Sequence, residues 1–280
     1  MKKNQSNWLV IIPFLFYLLP GQKDKIRIIE HRLLPDKISN LGIQPTKFNW
    51  SIADNFLLLD VQKGVLFELG PDGNLTFSSG LDTEYSVFGD LVWMGLSPEG
   101  VRLIDRLENE IIFLNYRLNQ IQKVAIFPKL YPDMGTIDIW GRMYLYSKTY
   151  NGIYSFDQMN VNKIPFIDIS KEDFSNAYVQ DFATNDFGDL AILCSNNTLL
   201  VFRRNGQLKM SLNFDFEDAE FLVSLKDNWL ILNSRGNIYS VMDSTRFFVP
   251  KTSVPVLDAQ SKNKAVAVLS KDHLLVFDVK

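Results

Sequence analysis

A two-strand phrase recurs six times along this chain, and its spacing constrains the fold more than any other feature. The copies are Asn55–Asp60 with Val65–Leu69, Val101–Asp105 with Ile111–Tyr116, Met143–Ser147 with Ile153–Asp157, Leu190–Ser195 with Leu199–Arg203, Trp229–Ser234 with Ile238–Val241, and Ala265–Ser270 with Leu274–Asp278. With Leu66, Phe113, Ile153, Leu199, Ile238 and Leu274 taken as equivalent, the steps are 47, 40, 46, 39 and 36 residues, about 42 on average. That is the length of a four-stranded propeller blade. Helical repeats of similar length would place apolar residues at i, i+3, i+4 and i+7, whereas these runs are short, rich in β-branched and aromatic residues, and bounded by Gly, Asn, Asp and Pro.

Flanking runs supply two more strands per copy. Inner strands are predicted at Lys47–Ala53, Leu91–Ser97, Thr136–Trp140, Tyr178–Thr184, Glu220–Leu225 and Val254–Ala259, and outer strands at Leu75–Ser79, Ile121–Phe127, Asn162–Ile167, Leu208–Phe214 and Thr245–Val249. A sixth outer strand is missing after Leu274–Asp278, while the strand-like segment Ile26–Leu34 has no partner of its own. Pairing the two closes a ring and protects edges that would otherwise be free. The sequence therefore predicts an all-β protein: a six-bladed β-propeller of four-stranded antiparallel blades, closed by an N-terminal strand in the last blade. Turn chemistry agrees, because Asp72-Gly73 and Asn205-Gly206 fall between third and fourth strands, where residues tolerant of positive φ are needed. Pro98-Glu99-Gly100, Asp186-Phe187-Gly188-Asp189 and Lys226-Asp227-Asn228 do the same between first and second strands.

The stretch from Gly188-Asp189 through Asn205-Gly206-Gln207-Leu208 resembles one repeat of the NHL type, in which Gly-Asn or Gly-Asp opens a strand and Asn-Gly or Asp-Gly closes the next hairpin. Gly64–Leu75 is similar to its second half, with Asp72-Gly73-Asn74-Leu75. The other four repeats keep only the apolar pattern, so the resemblance to NHL-type and related six-bladed propellers is one of fold. Such families include scaffolds, ligand binders and hydrolases, and the fold leaves function open. The WD dipeptide with a Gly-His partner is absent, as is the Trp-containing repeat of quinone-cofactor propellers.

The chain has 280 residues, 46% of them hydrophobic, enough for one full core over residues 22–280. Residues 1–21 read as an export signal: Lys2 and Lys3, the apolar run Trp8–Leu19, then Pro20-Gly21. An uncleaved membrane anchor and a buried terminal segment are the alternatives, and Leu19 stands where a small residue is usual before a cleavage site. No cysteine follows the run as a lipoprotein signal requires. The expected location is periplasmic or extracellular. The formal charge of −3 becomes −5 when Lys2 and Lys3 leave with the leader, which offers no basic field for nucleic acid or for an anionic membrane surface. Cys194 is the sole cysteine, expected as a small buried hydrophobe, and no intrachain disulfide can form.

Catalytic motifs are sparse. There is no Gly-x-Ser-x-Gly elbow, no His-Glu-x-x-His and no phosphate-cradling glycine loop. His31 and His273 are remote in sequence, but the closure above puts them in one blade, at edge or turn positions or in a shared role. Asp138, Asp181 and Asp258 each fall late in a predicted inner strand and could converge on the channel to hold a hard cation such as Ca²⁺, as in six-bladed lactonases and esterases. Equally, they could solvate a wet channel or brace adjacent blades, because strand side chains alternate in direction. Trp50 and Trp93 are the candidates for channel-lining aromatics, the remaining aromatics being assigned to blade packing. The acidic run Asp215, Glu217, Asp218 and Glu220 reads as a solvated loop, or as a site for a cation or a basic partner. The leading expectation is a non-enzymatic exported propeller, monomeric and without cofactor, that binds a protein partner. A calcium-dependent lactonase or esterase-type hydrolase and a small-molecule or glycan binder are the alternatives.

Overall fold

The computed structural model describes residues 26–79, 88–170 and 177–279. They form six antiparallel sheets, numbered here as blades in chain order. Blade 1 is Lys47–Trp50, Phe56–Asp60, Val65–Leu69 and Leu75–Ser79; blade 2 is Leu91–Ser97, Gly100–Asp105, Glu110–Leu114 and Gln120–Ala125. Blade 4 is Val179–Thr184, Leu190–Cys194, Thr198–Phe202 and Leu208–Asn213; blade 5 is Phe221–Leu225, Asn228–Leu232, Asn237–Ser240 and Thr245–Phe248. Blade 6 joins Asp258–Lys262, Ala265–Leu269 and His273–Val279 to the N-terminal strand Ile26–Leu33. Blade 3 has Met134–Ile137, Met143–Ser147 and Gly152–Asp157, and its outer strand is broken into Asn160–Val161 and Ile167–Asp168.

The closure is as the sequence predicts. Ile26–Leu33 pairs with His273–Val279 from Ile26 opposite Val279 to Leu33 opposite His273, with a bulge at Ile29. The buried Arg32 ties this strand onward to blade 1, donating from Nη1 to Leu69 O at 3.1 Å with its guanidinium 4.5 Å from the Phe56 ring centroid. Each inner strand lies against the next, and the sixth lies against the first. The structure is an all-β six-bladed propeller ring.

Second and third strands are packed between blades on both faces, and so they read as unbroken apolar runs: every residue of Phe56–Asp60 and Val65–Leu69 is buried. Outer strands have one wet face, and Leu208–Asn213 alternates accordingly. The second strand ends, or is followed within two residues, by Asp60, Asp105, Ser147, Ser195, Ser234 and Ser270 in turn, and each of these bonds the segment that leads into its own blade. Asp60 accepts from Gln44 N at 2.8 Å, and Asp105 accepts from Gly89 N and Asp90 N at 2.6 and 3.0 Å. Ser147 donates to Leu130 O at 2.6 Å, and Ser195 accepts from Tyr178 N at 3.3 Å. Ser234 donates to Glu220 Oε1 at 2.6 Å, and Ser270 donates to Pro255 O at 3.2 Å. The repeated polar residue is a latch holding each incoming connection against the blade it enters.

Most predicted boundaries shift by one to three residues, and three larger differences have a physical cause. The inner strand of blade 6 starts at Asp258, four residues later than Val254, because the 3₁₀ turn Lys251–Ser253 and Pro255, which lacks a ladder N–H, occupy the approach. The inner strand of blade 3 ends at Ile137, and Asp138–Arg142 is its turn, closed by Asp138 N donating to Arg142 O at 2.9 Å. The predicted outer strand Asn162–Ile167 mostly loops away from blade 3. The proposed export signal at residues 1–21 lies outside the described residues. No helix among the described residues is long and apolar enough to cross a membrane.

Candidate functional site

All six inner strands wall a central cavity of about 460 Å³. Ladder register fixes which side chains share a level in it. Asp258 pairs with Leu269, Lys47 with Leu59 and Trp93 with Ile104. Leu269, Leu59 and Ile104 each immediately precede the latch residue of their blade, so Asp258, Lys47 and Trp93 stand side by side on one tier across blades 6, 1 and 2. Lys47 Nζ lies 3.6 Å from Asp258 Oδ1, an ion pair longer than a hydrogen bond, and the lysine side chain is 41% exposed.

The two channel carboxylates brace neighbouring blades. Asp258 Oδ2 accepts from Phe48 N of blade 1 at 2.9 Å. Asp181 Oδ2 accepts from Leu222 N of blade 5 at 2.7 Å, while its Oδ1 accepts from Phe182 N at 2.8 Å. Burial pushes the Asp181 carboxyl up to about 7, against the lowering pull of the Leu222 amide and of Lys47. Asp258 is also raised by burial, with Lys47 opposing, and Lys47 is raised chiefly by the Asp258 charge.

Asp138 stands apart. It follows the inner strand of blade 3, is buried, and accepts from Trp140 N and Arg142 N through Oδ1 at 3.0 and 2.9 Å and from Arg204 Nε of blade 4 through Oδ2 at 2.8 Å. Asp258 opens its strand, Asp181 is third in its strand beyond a bulge, and Asp138 is in a turn; the charges of Lys47 and Asp258 both act on Asp181, while Asp138 stands away from them at the turn. Among the described residues, no group of three or more His, Cys, Asp or Glu side chains is placed to hold a metal ion.

The tryptophans differ in availability. Trp50 lines the cavity but is buried against Phe56, 4.7 Å between ring centroids, and its Nε1 has no hydrogen-bond partner among the described residues. Trp93 is half-buried, and its indole lies on two glycines that leave it room. A Cβ at Gly95 would overlap the ring, and one at Gly135 would come within 2.9 Å of it.

His31 and His273 are brought together edge to face, 4.5 Å between centroids. Beside them is an arrangement that sequence spacing did not reveal. Ser253 Oγ is 2.8 Å from His273 Nε2, and His273 Nδ1 is 2.7 Å from Asp272 Oδ1, the bonding order of a hydrolase triad. Its burial is inverted relative to that chemistry: Ser253 is fully buried, while the Asp272 side chain is 80% exposed. A nucleophile must meet substrate and its orienting carboxylate is sheltered, so the cluster works as an anchor pinning the turn Lys251–Ser253 onto the closing blade.

The acidic run is paired with arginines: Asp215 with Arg246, and Glu217 and Asp218 with Arg235. Cys194 is buried, and burial pushes its thiol up to about 11. On the turns joining first to second strands, Ile139, Trp140 and Phe187 are 53%, 53% and 64% exposed. Trp140 is held between Gly188, where a Cβ would strike its ring, and the Arg204 guanidinium 4.5 Å from its centroid. Lys47, Gly135 and Arg204 were invisible as site residues because their roles depend on neighbouring blades, and Gly95 because its role depends on where the Trp93 ring lies.

No protein-family model matches the sequence, and neither does any curated protein. Solved structures do share the fold. Virginiamycin B lyase from Staphylococcus aureus matches with TM-score 0.59 at 8% identity, over 83% of this chain and 80% of that one. BBS1N in complex with ARL6DN matches with TM-score 0.61 at 9% identity, over 84% and 79%. PorZ, a surface component of the type-IX secretion system of Porphyromonas gingivalis, matches with TM-score 0.54 at 12% identity, over 89% of this chain and 39% of that one.

Proposed function

We propose that this chain is an exported, non-enzymatic propeller that docks a protein partner on the face formed by the turns between first and second strands. The observation that carries the reading is the exposure of Ile139, Trp140 and Phe187 on the turns of that face. Large apolar side chains exposed together on one face mark interaction surfaces more often than single ones do, and Trp is prominent among residues that dominate binding energy. Trp140 is already oriented by Gly188 and Arg204, so little side-chain entropy is lost on docking. The bracing roles of Asp138, Asp181 and Asp258, and the inverted burial of the Ser253 cluster, support a framework rather than a reaction centre. Export rests on Lys2, Lys3 and the apolar run Trp8–Leu19.

The test is comparative. A specific partner recovered from envelope fractions by the wild-type protein should be lost, or bound at least about tenfold more weakly, by the Trp140→Ala, Phe187→Ala double variant with its melting temperature nearly unchanged. Equal recovery by both proteins would remove this face as the docking surface.

A further inference from the structure

We infer that the channel tier built from Trp93, Lys47 and Asp258 is a binding site for one ring of a neutral saccharide. This goes beyond partner docking and is independent of it, since the tier and the Trp140 cluster share no residue. The first observation is the platform. Trp93 is the half-buried indole of the cavity, and Gly95 on its own strand with Gly135 of the next blade supplies the shelf beneath it. Neither position tolerates a Cβ without displacing the ring, so the indole is held flat by construction and a C–H-rich ring can lie along it.

The second observation is the balance of donors and acceptors beside the platform. Among the described residues, Lys47 Nζ is partnered by the 3.6 Å ion pair with Asp258, too long for a hydrogen bond, which leaves its N–H groups available to hydroxyl oxygens. Each carboxylate oxygen of Asp258 and Asp181 has lone pairs beyond those taken by the backbone amides, and these accept from hydroxyl hydrogens. Asn49 and Gln260 add neutral amides to the wall. A sugar hydroxyl both donates and accepts, so adjacent hydroxyls match a lysine flanked by carboxylates. Charge argues the same way: Lys47 and Asp258 already neutralise one another, so a zwitterion or an anion would have to break that pair. The volume of about 460 Å³ falls within the range of small-ligand sites.

The experiment titrates the full-length protein with glucose, galactose, mannose, N-acetylglucosamine and, as the competing chemistry, L-alanine. It follows saturation-transfer NMR and the Trp93 indole N–H resonance. At least one sugar should shift that resonance with a dissociation constant of millimolar order or tighter. Trp93→Leu and, separately, Lys47→Met should weaken it about tenfold each. Should either variant fail to fold, the resonance shift in the unmodified protein and the Gln260→Ala variant carry the test, the latter by a loss of a few fold. No sugar binding at about 10 mM would overturn the proposal. So would sugar binding that leaves the Trp93 resonance unmoved, or binding of L-alanine alone.

Discussion

Asp181 shows how a residue type can be legible while its work is not. An aspartate on an inner strand was evident from the sequence, but the direction of its carboxyl, toward Leu222 N of the next blade, depends on a bulge at Gln180 that no local signal marks. The same holds for Asp258, whose expected place late in a strand became first in a strand once Pro255 displaced the boundary. The raised carboxyl of Asp181 has a consequence of definite sign. Its folded value of about 7 exceeds that of an unfolded aspartate, so the native state holds the proton more tightly. The stability this contributes is fully present below about pH 4 and is lost as pH rises through about 7. Asp258 shifts in the same direction, and Lys47 titrates outside this window. Asp181→Asn should therefore flatten the fall in stability between pH 4 and 7 by something on the order of 2–4 kcal/mol, leaving the Asp258 component. Urea unfolding at pH 4.5, 6 and 8 measures it; an unchanged slope in the variant would sink the assignment.

Elements were the most legible level, because each blade repeats one physical problem. A strand buried on both faces must be apolar throughout, and a hairpin must turn at Gly, Asn or Asp, so the middle pair of every blade announced itself. The closing strand Ile26–Leu33 was legible by subtraction, as the segment left over when one edge was left open. The outer strand of blade 3 was not, since Asn162–Phe166 keeps strand-like residues while leaving the ladder between Val161 and Ile167. The latch residues sat in plain view at the end of each phrase, but their partners lie 14–17 residues upstream, beyond any turn pattern. The latches are unequal in a way that can be measured. Asp105 is fully buried and accepts from Gly89 N, Asp90 N and Glu108 N, whereas Ser195 makes a single exposed bond of 3.3 Å. Asp105→Ala removes a buried charged acceptor from three part-buried backbone amides and should cost about 2–4 kcal/mol, against roughly 0.5 kcal/mol for Ser195→Ala. Equal losses by chemical denaturation would show that the latch is not what holds the incoming connection.

At the scale of the whole ring, the repeated residues are spent on building it, and function falls to positions that differ between blades. Lys47, Trp93 and Asp258 occupy equivalent register in three blades yet share no chemistry, which is why a repeat pattern could find the tier's address but not its occupants. The ring also bears on the readings of its carboxylates. A hard cation needs six or more oxygen ligands converging at 2.3–2.6 Å. Here Asp138 turns away to Arg204, while Asp181 and Asp258 each give one oxygen to the amide of the next blade, Leu222 N and Phe48 N. Each keeps lone pairs beyond that bond, but drawing all three onto one ion would pull Asp138 from Arg204 and compete with the bonds that join blade 4 to 5 and 6 to 1. Binding to the native state alone would raise stability with ligand concentration, by about 2.7 kcal/mol at one hundred times the dissociation constant. We therefore expect the melting temperature to be the same, within about 1 °C, in EDTA and in millimolar calcium, given that 1 kcal/mol moves a chain of this size by about 2–4 °C. A calcium-dependent rise of several degrees would instead mean that the aspartates hold the ion, and would move the hydrolase alternative ahead of the docking reading.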